Sequence, residues 1–162
     1  MSQRPLPLTK EVKDLFEDLL GRAVTVGPGE PVRAQDLRQL LISIYVADNL
    51  KLSAVVAMDL PLAVYAGAAI GLIPPTGAQA SIEDGQISPM IAENVTEVCN
   101  VLSSILNKEG LPRVRMHQTF LPGQMPPADA IGFLLALGRR LDLNVEVSGY
   151  GSGRFTAVLA AA

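Results

Sequence analysis

Glu97 and Asn100 are the two residues of this chain whose types and spacing are best suited to chemistry. The i, i+3 spacing sets a carboxylate and a carboxamide side by side on one face of a helix. A carboxamide can accept a hydrogen from a water and donate to that water's oxygen, and so hold it in one orientation. A neighbouring carboxylate can fix a partner's cation or the water itself. Together they suit positioning a water for attack on an acyl or phosphoryl centre. The bland alternative is a solvated helix face, because Glu-x-x-Asn occurs by chance in many helices.

The helix that must carry them is the longest clean helical pattern in the sequence, Ile87–Lys108. At roughly 100° per residue, Ile91, Val95, Val98, Cys99, Leu102, Ile105 and Leu106 form an apolar stripe. Glu93, Thr96, Glu97, Asn100, Ser103, Ser104 and Asn107 fall opposite. This polar stripe holds carboxylates, amides and hydroxyls where an ordinary solvated face carries several Lys and Arg. Ser88-Pro89 reads as its N-cap and first position, and Gly110 as its C′ residue.

The other elements follow from periodicity and turn chemistry. Thr9–Leu20 is an opening amphipathic helix stopped by Gly21, and Arg22–Val26 a short strand. Leu37–Ala47 and Lys51–Met58 read as a strand pair around Asp48-Asn49. Asp59 caps a nearly all-apolar helix, Pro61–Leu72, in which Gly67 and Gly71 permit close packing. Thr76–Gly85 reads as a loop. Arg113–Phe120 alternates like a strand with one wet face, and Pro122–Pro127 is turn-rich. Asp129–Leu137 fits a short helix or a buried strand, with the helix preferred. Leu141–Ser148 and Arg154–Leu159 are strands joined by a turn at Gly149–Gly153. The order predicts an α+β fold, a mainly antiparallel sheet with long helices packed on one side, as a single domain over residues 1–162.

Composition narrows the function. The chain has 162 residues, a formal charge of −3 and no Trp. The acidic balance argues against nucleic acid as a partner. Cys99 is the only cysteine and His117 the only histidine, so a zinc site is not expected. The most hydrophobic stretch, Leu60–Ile73, is too short to span a bilayer, and the N-terminus has no signal-peptide core. A soluble, reduced, cytoplasmic protein is expected. His117 reads as a surface or satisfied structural residue rather than a catalytic one, Cys99 as a buried small hydrophobe without a base, and Gly149–Gly153 as a turn rather than a phosphate cradle. Asn94 and the Arg139-Arg140 pair read as solvated.

The run from Ile91 to Gly123, IAENVTEVCNVLSSILNKEGLPRVRMHQTFLPG, resembles the signature segment of the CheX/CheC/FliY chemotaxis phosphatases. In that family a long helix carries Glu-x-x-Asn; Glu97 matches the glutamate and Asn100 the asparagine. The likeness covers roughly Ser53–Pro122, and the rest by element order. It implies an enzyme that hydrolyses the aspartyl phosphate of a CheY-type response regulator in two-component signalling. Asn100 would orient the attacking water and Glu97 would pair with the receiver's lysine. No cofactor sits on this chain, since Mg²⁺ belongs to the receiver. One Glu-x-x-Asn motif, rather than two, makes it CheX-like and implies a homodimer formed through the sheets. Glu93 and Ser104 are further candidate partner contacts.

Two positions depart from the family pattern. Glu93 stands where Ser or Asp is common, and Cys99 where Gly is common. They favour the alternative, a weak or inactive CheX-like module that binds receivers or flagellar-switch proteins. A third possibility is an unrelated α+β domain with an accidental motif.

Overall fold

Alternation at period two builds the sheet, and amphipathic stripes lay helices on it. The computed structural model describes residues 4–160. Its elements run α1 (Thr9–Leu20), β1 (Val24–Pro28), a 3₁₀ turn (Ala34–Gln39), β2 (Leu40–Ala47), β3 (Leu52–Asp59), α2 (Leu60–Ile70), α3 (Pro75–Asp84), α4 (Pro89–Leu106), β4 (Val114–Phe120), α5 (Ala128–Leu135), β5 (Arg140–Val147) and β6 (Gly151–Leu159). The strands form one antiparallel sheet in the order β1-β5-β6-β3-β2-β4.

The α+β expectation holds, with the long helices on one face. Phe16 of α1, Leu62 of α2, and Ile91, Val98 and Leu102 of α4 pack over Leu41, Tyr45, Val56, Met58 and Phe155 of the sheet. Ile42, Ile44, Val55, Ala57 and Val158 point the other way. There Ala130 and Leu134 of α5 cover them, with Phe120 and Val32. Of Asp129–Leu137, the part up to Leu135 is helical and Ala136-Leu137 lie beyond its end; the helix lies on the opposite face from α1, α2 and α4. β2 is buried along nearly its whole length because both its faces are covered.

Four local expectations are corrected. Thr76–Gly85 lies mostly within helix α3, framed by Pro75 at its start and Gly85 in the left-handed conformation at its end (φ 69°). Its only inward positions are Ala78 and Ile82, so the apolar stripe was too narrow to read. Leu37–Gln39 belongs to the 3₁₀ turn rather than to β2. The β5–β6 turn is confined to Ser148-Gly149-Tyr150; Gly151 and Gly153 are already strand, pressed on α2. A Cβ on Gly153 would stand 2.6 Å from Leu62 and from Asp59. Finally, Gly110 does not cap α4. The helix stops at Leu106, and Asn107 takes over. Its side chain donates to Ser103 O and Val114 O and accepts from Val114 N–H, tying the helix end to β4.

α2 ends in a Schellman arrangement. Ile73 N–H reaches Ala68 O at 2.9 Å, and Leu72 occupies the left-handed position with φ 57°. Glycine ordinarily sits there; a leucine costs roughly 1–2 kcal/mol in that conformation. Leu72 is also 83% exposed, so packing does not offset the cost.

Candidate functional site

α4 is held from beneath at three points. Its apolar stripe, Ile91, Val95, Val98, Cys99, Leu102 and Leu106, is buried. Tyr45 of β2 donates its hydroxyl to Cys99 O at 2.6 Å within the core. Asn94 donates to Gly67 O of α2 at 3.0 Å. Asn94 is thus not a solvated residue; it bridges the two helices where glycine lets them touch. A Cβ on Gly67 would lie 2.6 Å from Ile91 O. We expect Gly67→Ala to force the helices apart and cost about 1–3 kcal/mol. A fall in midpoint on chemical denaturation checks this.

Above this seat, Glu93, Glu97, Asn100 and Ser104 are all exposed. Exposure of Glu97 and Asn100 is what a docking or phosphatase reading requires. Asn100 is engaged through its main chain, whose carbonyl accepts from Ser103 Oγ at 2.8 Å. Among the described residues, its carboxamide and the carboxylates of Glu93 and Glu97 have no hydrogen-bond or ion-pair partner.

The four candidates do not share one recess. Glu93, Thr96 and Glu97 form one wall of an open groove of about 480 Å³, and Thr119, Leu121 and Gln124 the other. Ser104 lies on a separate groove of about 340 Å³ between α4 and α1, with Leu15, Leu19 and Ile105. Asn100 follows Glu97 by three residues along α4 and lines neither. Sequence reasoning missed Thr119 and Gln124, because nothing local says that the exit of β4 faces α4. The pairing of β4 with β2 decides it: Ser43↔Thr119 is in register, and their hydroxyls meet at 2.8 Å.

Cys99 is wholly buried, and burial pushes its thiol up to about 12. A neutral thiol beneath the helix is inert. Alkylation by a thiol reagent at neutral pH should therefore be slow in the native protein and track global unfolding. Rapid labelling of the folded chain would contradict this. His117 is exposed on β4, the surface alternative of the two expected for it. The Arg139-Arg140 pair is not solvated: Arg140 pairs with Asp142, and Arg139 donates to Arg4 O.

No family model matches the chain, and no curated protein matches it in sequence. Solved structures do. The FliM middle domain from H. pylori is 6% identical with a TM-score of 0.61, covering 93% of this chain and 83% of that one. A chain of the CheX–CheY–BeF₃–Mg²⁺ complex from Borrelia burgdorferi is 11% identical with a TM-score of 0.56, covering 91% and 92%. This chain has the CheC/CheX-like fold. Thermotoga maritima FliY, 15% identical with a TM-score of 0.52 over 92% of this chain and 82% of its own, belongs with them. In this CheC/CheX-like fold the helix bearing Glu97 and Asn100 is the third of the three that follow β3. Among the described residues no helix is long and apolar enough to cross a membrane.

Proposed function

We propose that the protein is a phosphatase for the aspartyl phosphate of a CheY-type receiver domain. The observation that carries this is the pairing of an exposed carboxylate and an exposed carboxamide, both without a partner among the described residues, three residues apart on a helix pinned from below. Asn100 orients a water in line with phosphorus. Water oxygen bonds to phosphorus as the bond to the aspartyl oxygen breaks, and the aspartate leaves as carboxylate. Glu97 pairs with the receiver's lysine and sets the distance. No covalent intermediate on this chain is needed, since the rate comes from positioning. The Mg²⁺ is the receiver's. Within this reading the protein works in the cytoplasm in chemotaxis signalling and pairs as a homodimer through the sheet. Sedimentation velocity tests the pairing; a monomer at micromolar concentration rules it out.

The test is the lifetime of phosphate on a receiver with and without the protein. Acceleration that depends on Asn100 supports the reading; an unchanged lifetime overturns it. One observation favours a binding module without activity instead. Glu93 lines the same groove as Glu97, so a second carboxylate stands beside the one assigned to the receiver's lysine. If that module is the function, the receiver binds and its phosphate lifetime is unaltered.

A further inference from the structure

From Leu52 to Asn107 the sequence contains no Lys or Arg. This run supplies β3 and the whole of α2, α3 and α4. Its acidic residues are Asp59, Glu83, Asp84, Glu93 and Glu97. Asp59 is taken up as the cap of α2 and beside Arg154. The other four are exposed, and no ion pair among the described residues reaches them. Glu83 and Asp84 end α3, a few residues before α4 begins. The outer surface of these three helices is thus anionic without internal compensation.

The same surface carries two exposed apolar side chains. Leu72 is 83% exposed and Met90 55% exposed. They belong to one neighbourhood, since the Met90 sulfur lies 3.3 Å from where a Cβ of Gly71 would stand. Leu72 is held in a left-handed conformation that glycine would adopt without strain. Leu50, between β2 and β3, is likewise left-handed (φ 63°) and 61% exposed, so strain alone does not mark a site; Leu72 is singled out because it follows Gly71, against which Met90 lies. Met90 lies on α4 three residues before Glu93, and so continues its exposed face toward the N-terminus.

We propose that Leu72 and Met90 are the apolar anchors of the receiver-docking surface, and that the exposed carboxylates of α3 and α4 select a receiver whose contact face is basic. The inference rests on the phosphatase reading for the identity of the occupant, and extends its contact beyond Glu97 and Asn100. Charge complementarity argues for that occupant: a partner with a basic face meets carboxylates on α3 and α4 that no ion pair among the described residues takes up, together with two bare side chains. Buried apolar anchors set how long the complex lasts, while surrounding charges set how fast it forms.

Leu72→Gly is the decisive variant because it removes the anchor and relieves the backbone together, so failure to fold is not a confounder. Two probes are used, a phosphorylated CheY-type receiver for turnover and the same receiver loaded with beryllofluoride and Mg²⁺ for binding. Expected for Leu72→Gly are a raised melting temperature, a Kd and KM raised about 10-fold, and an unchanged kcat. Met90→Ala should weaken binding several-fold in the same sense. Glu83→Lys with Asp84→Lys should slow association at low salt, with the difference vanishing near about 0.5 M salt. Binding within twofold of the native protein for both Leu72→Gly and Met90→Ala overturns the inference while leaving the phosphatase reading intact. Binding that depends on Leu72, without any shortening of the phosphate lifetime, upholds the docking surface and overturns the phosphatase. A native protein that binds no receiver overturns both.

Discussion

Asn100→Ala is expected to abolish the acceleration of phosphate loss, lowering the rate by about 10²-fold or more, while receiver binding stays within a few-fold. Alanine has a methyl where the carboxamide stood, so the water loses both the acceptor and the donor that orient it. Nothing in the fold is lost with them. The carboxamide is exposed and has no internal partner among the described residues, and the hydrogen bond at this position uses the main chain. Alanine also has the higher helix propensity, so the variant should be as stable as the native protein or slightly more so. A lost rate is then a lost water and not a lost helix. Glu97→Ala should separate from it by raising KM more than it lowers kcat, because the carboxylate fixes the partner rather than the nucleophile. Phosphate lifetimes measured across receiver concentrations distinguish the two. If Asn100→Ala still shortens the lifetime as the native chain does, the water-orienting role is wrong.

The largest effect on stability should come from Asp142→Ala, on the opposite side of the sheet. Arg140 and Asp142 are 11% and 13% exposed. Arg140 Nε meets Asp142 Oδ2 at 2.8 Å and Nη2 meets Oδ1 at 3.0 Å. Arg140 Nη1 also donates to Leu134 O and Ala136 O, at 2.9 and 2.7 Å. The guanidinium thus closes the C-terminal end of α5 and fastens it to β5. Thr156 Oγ1 donates to the same Asp142 Oδ1 at 2.8 Å. Alanine at 142 leaves a nearly buried cation without its counter-ion and a threonine hydroxyl without its acceptor. Removing one partner of such a pair costs about 3–5 kcal/mol, far more than the intact pair adds over an apolar replacement. Chemical denaturation should show a loss in that range, and limited proteolysis should cut first around α5. Replacing both partners, Arg140→Met with Asp142→Leu, should recover most of the loss. A destabilisation below about 1 kcal/mol would mean that the pair is solvated after all. The folded fraction should keep its Asn100-dependent rate, since α4 lies on the other face.

These two residues also mark how far the sequence could be read. Asn100 was legible because the signal is local: a helix period, a cap at Ser88 and a carboxylate three residues earlier. The Arg140–Asp142 pair was not. Neighbours two apart on a strand point to the same face, but whether that face meets water depends on α5 folding over it. Asn94 was misread for a related reason. Helical spacing puts it near the edge of the polar stripe, and only the approach of Gly67 supplies the carbonyl it bonds. α3 was missed because the only residues it turns inward are one alanine and one isoleucine, and its burial is set by the neighbouring helices rather than by its own pattern.

By itself, then, the sequence determined the α+β class, the long-helix seat on one face of an antiparallel sheet, and the exposed positions of Glu97 and Asn100. Each of these follows from periodicity and capping, which act over a turn or a strand repeat. The tertiary structure alone decided that Glu93 and Glu97 share a groove with the exit of β4 while Ser104 lies elsewhere. It alone sent α5 to the far face and left Leu72 strained and bare at the end of α2. Those outcomes depend on which distant segments come into register, and pairings such as Ser43 with Thr119 or Asn94 with Gly67 leave no mark in the local pattern.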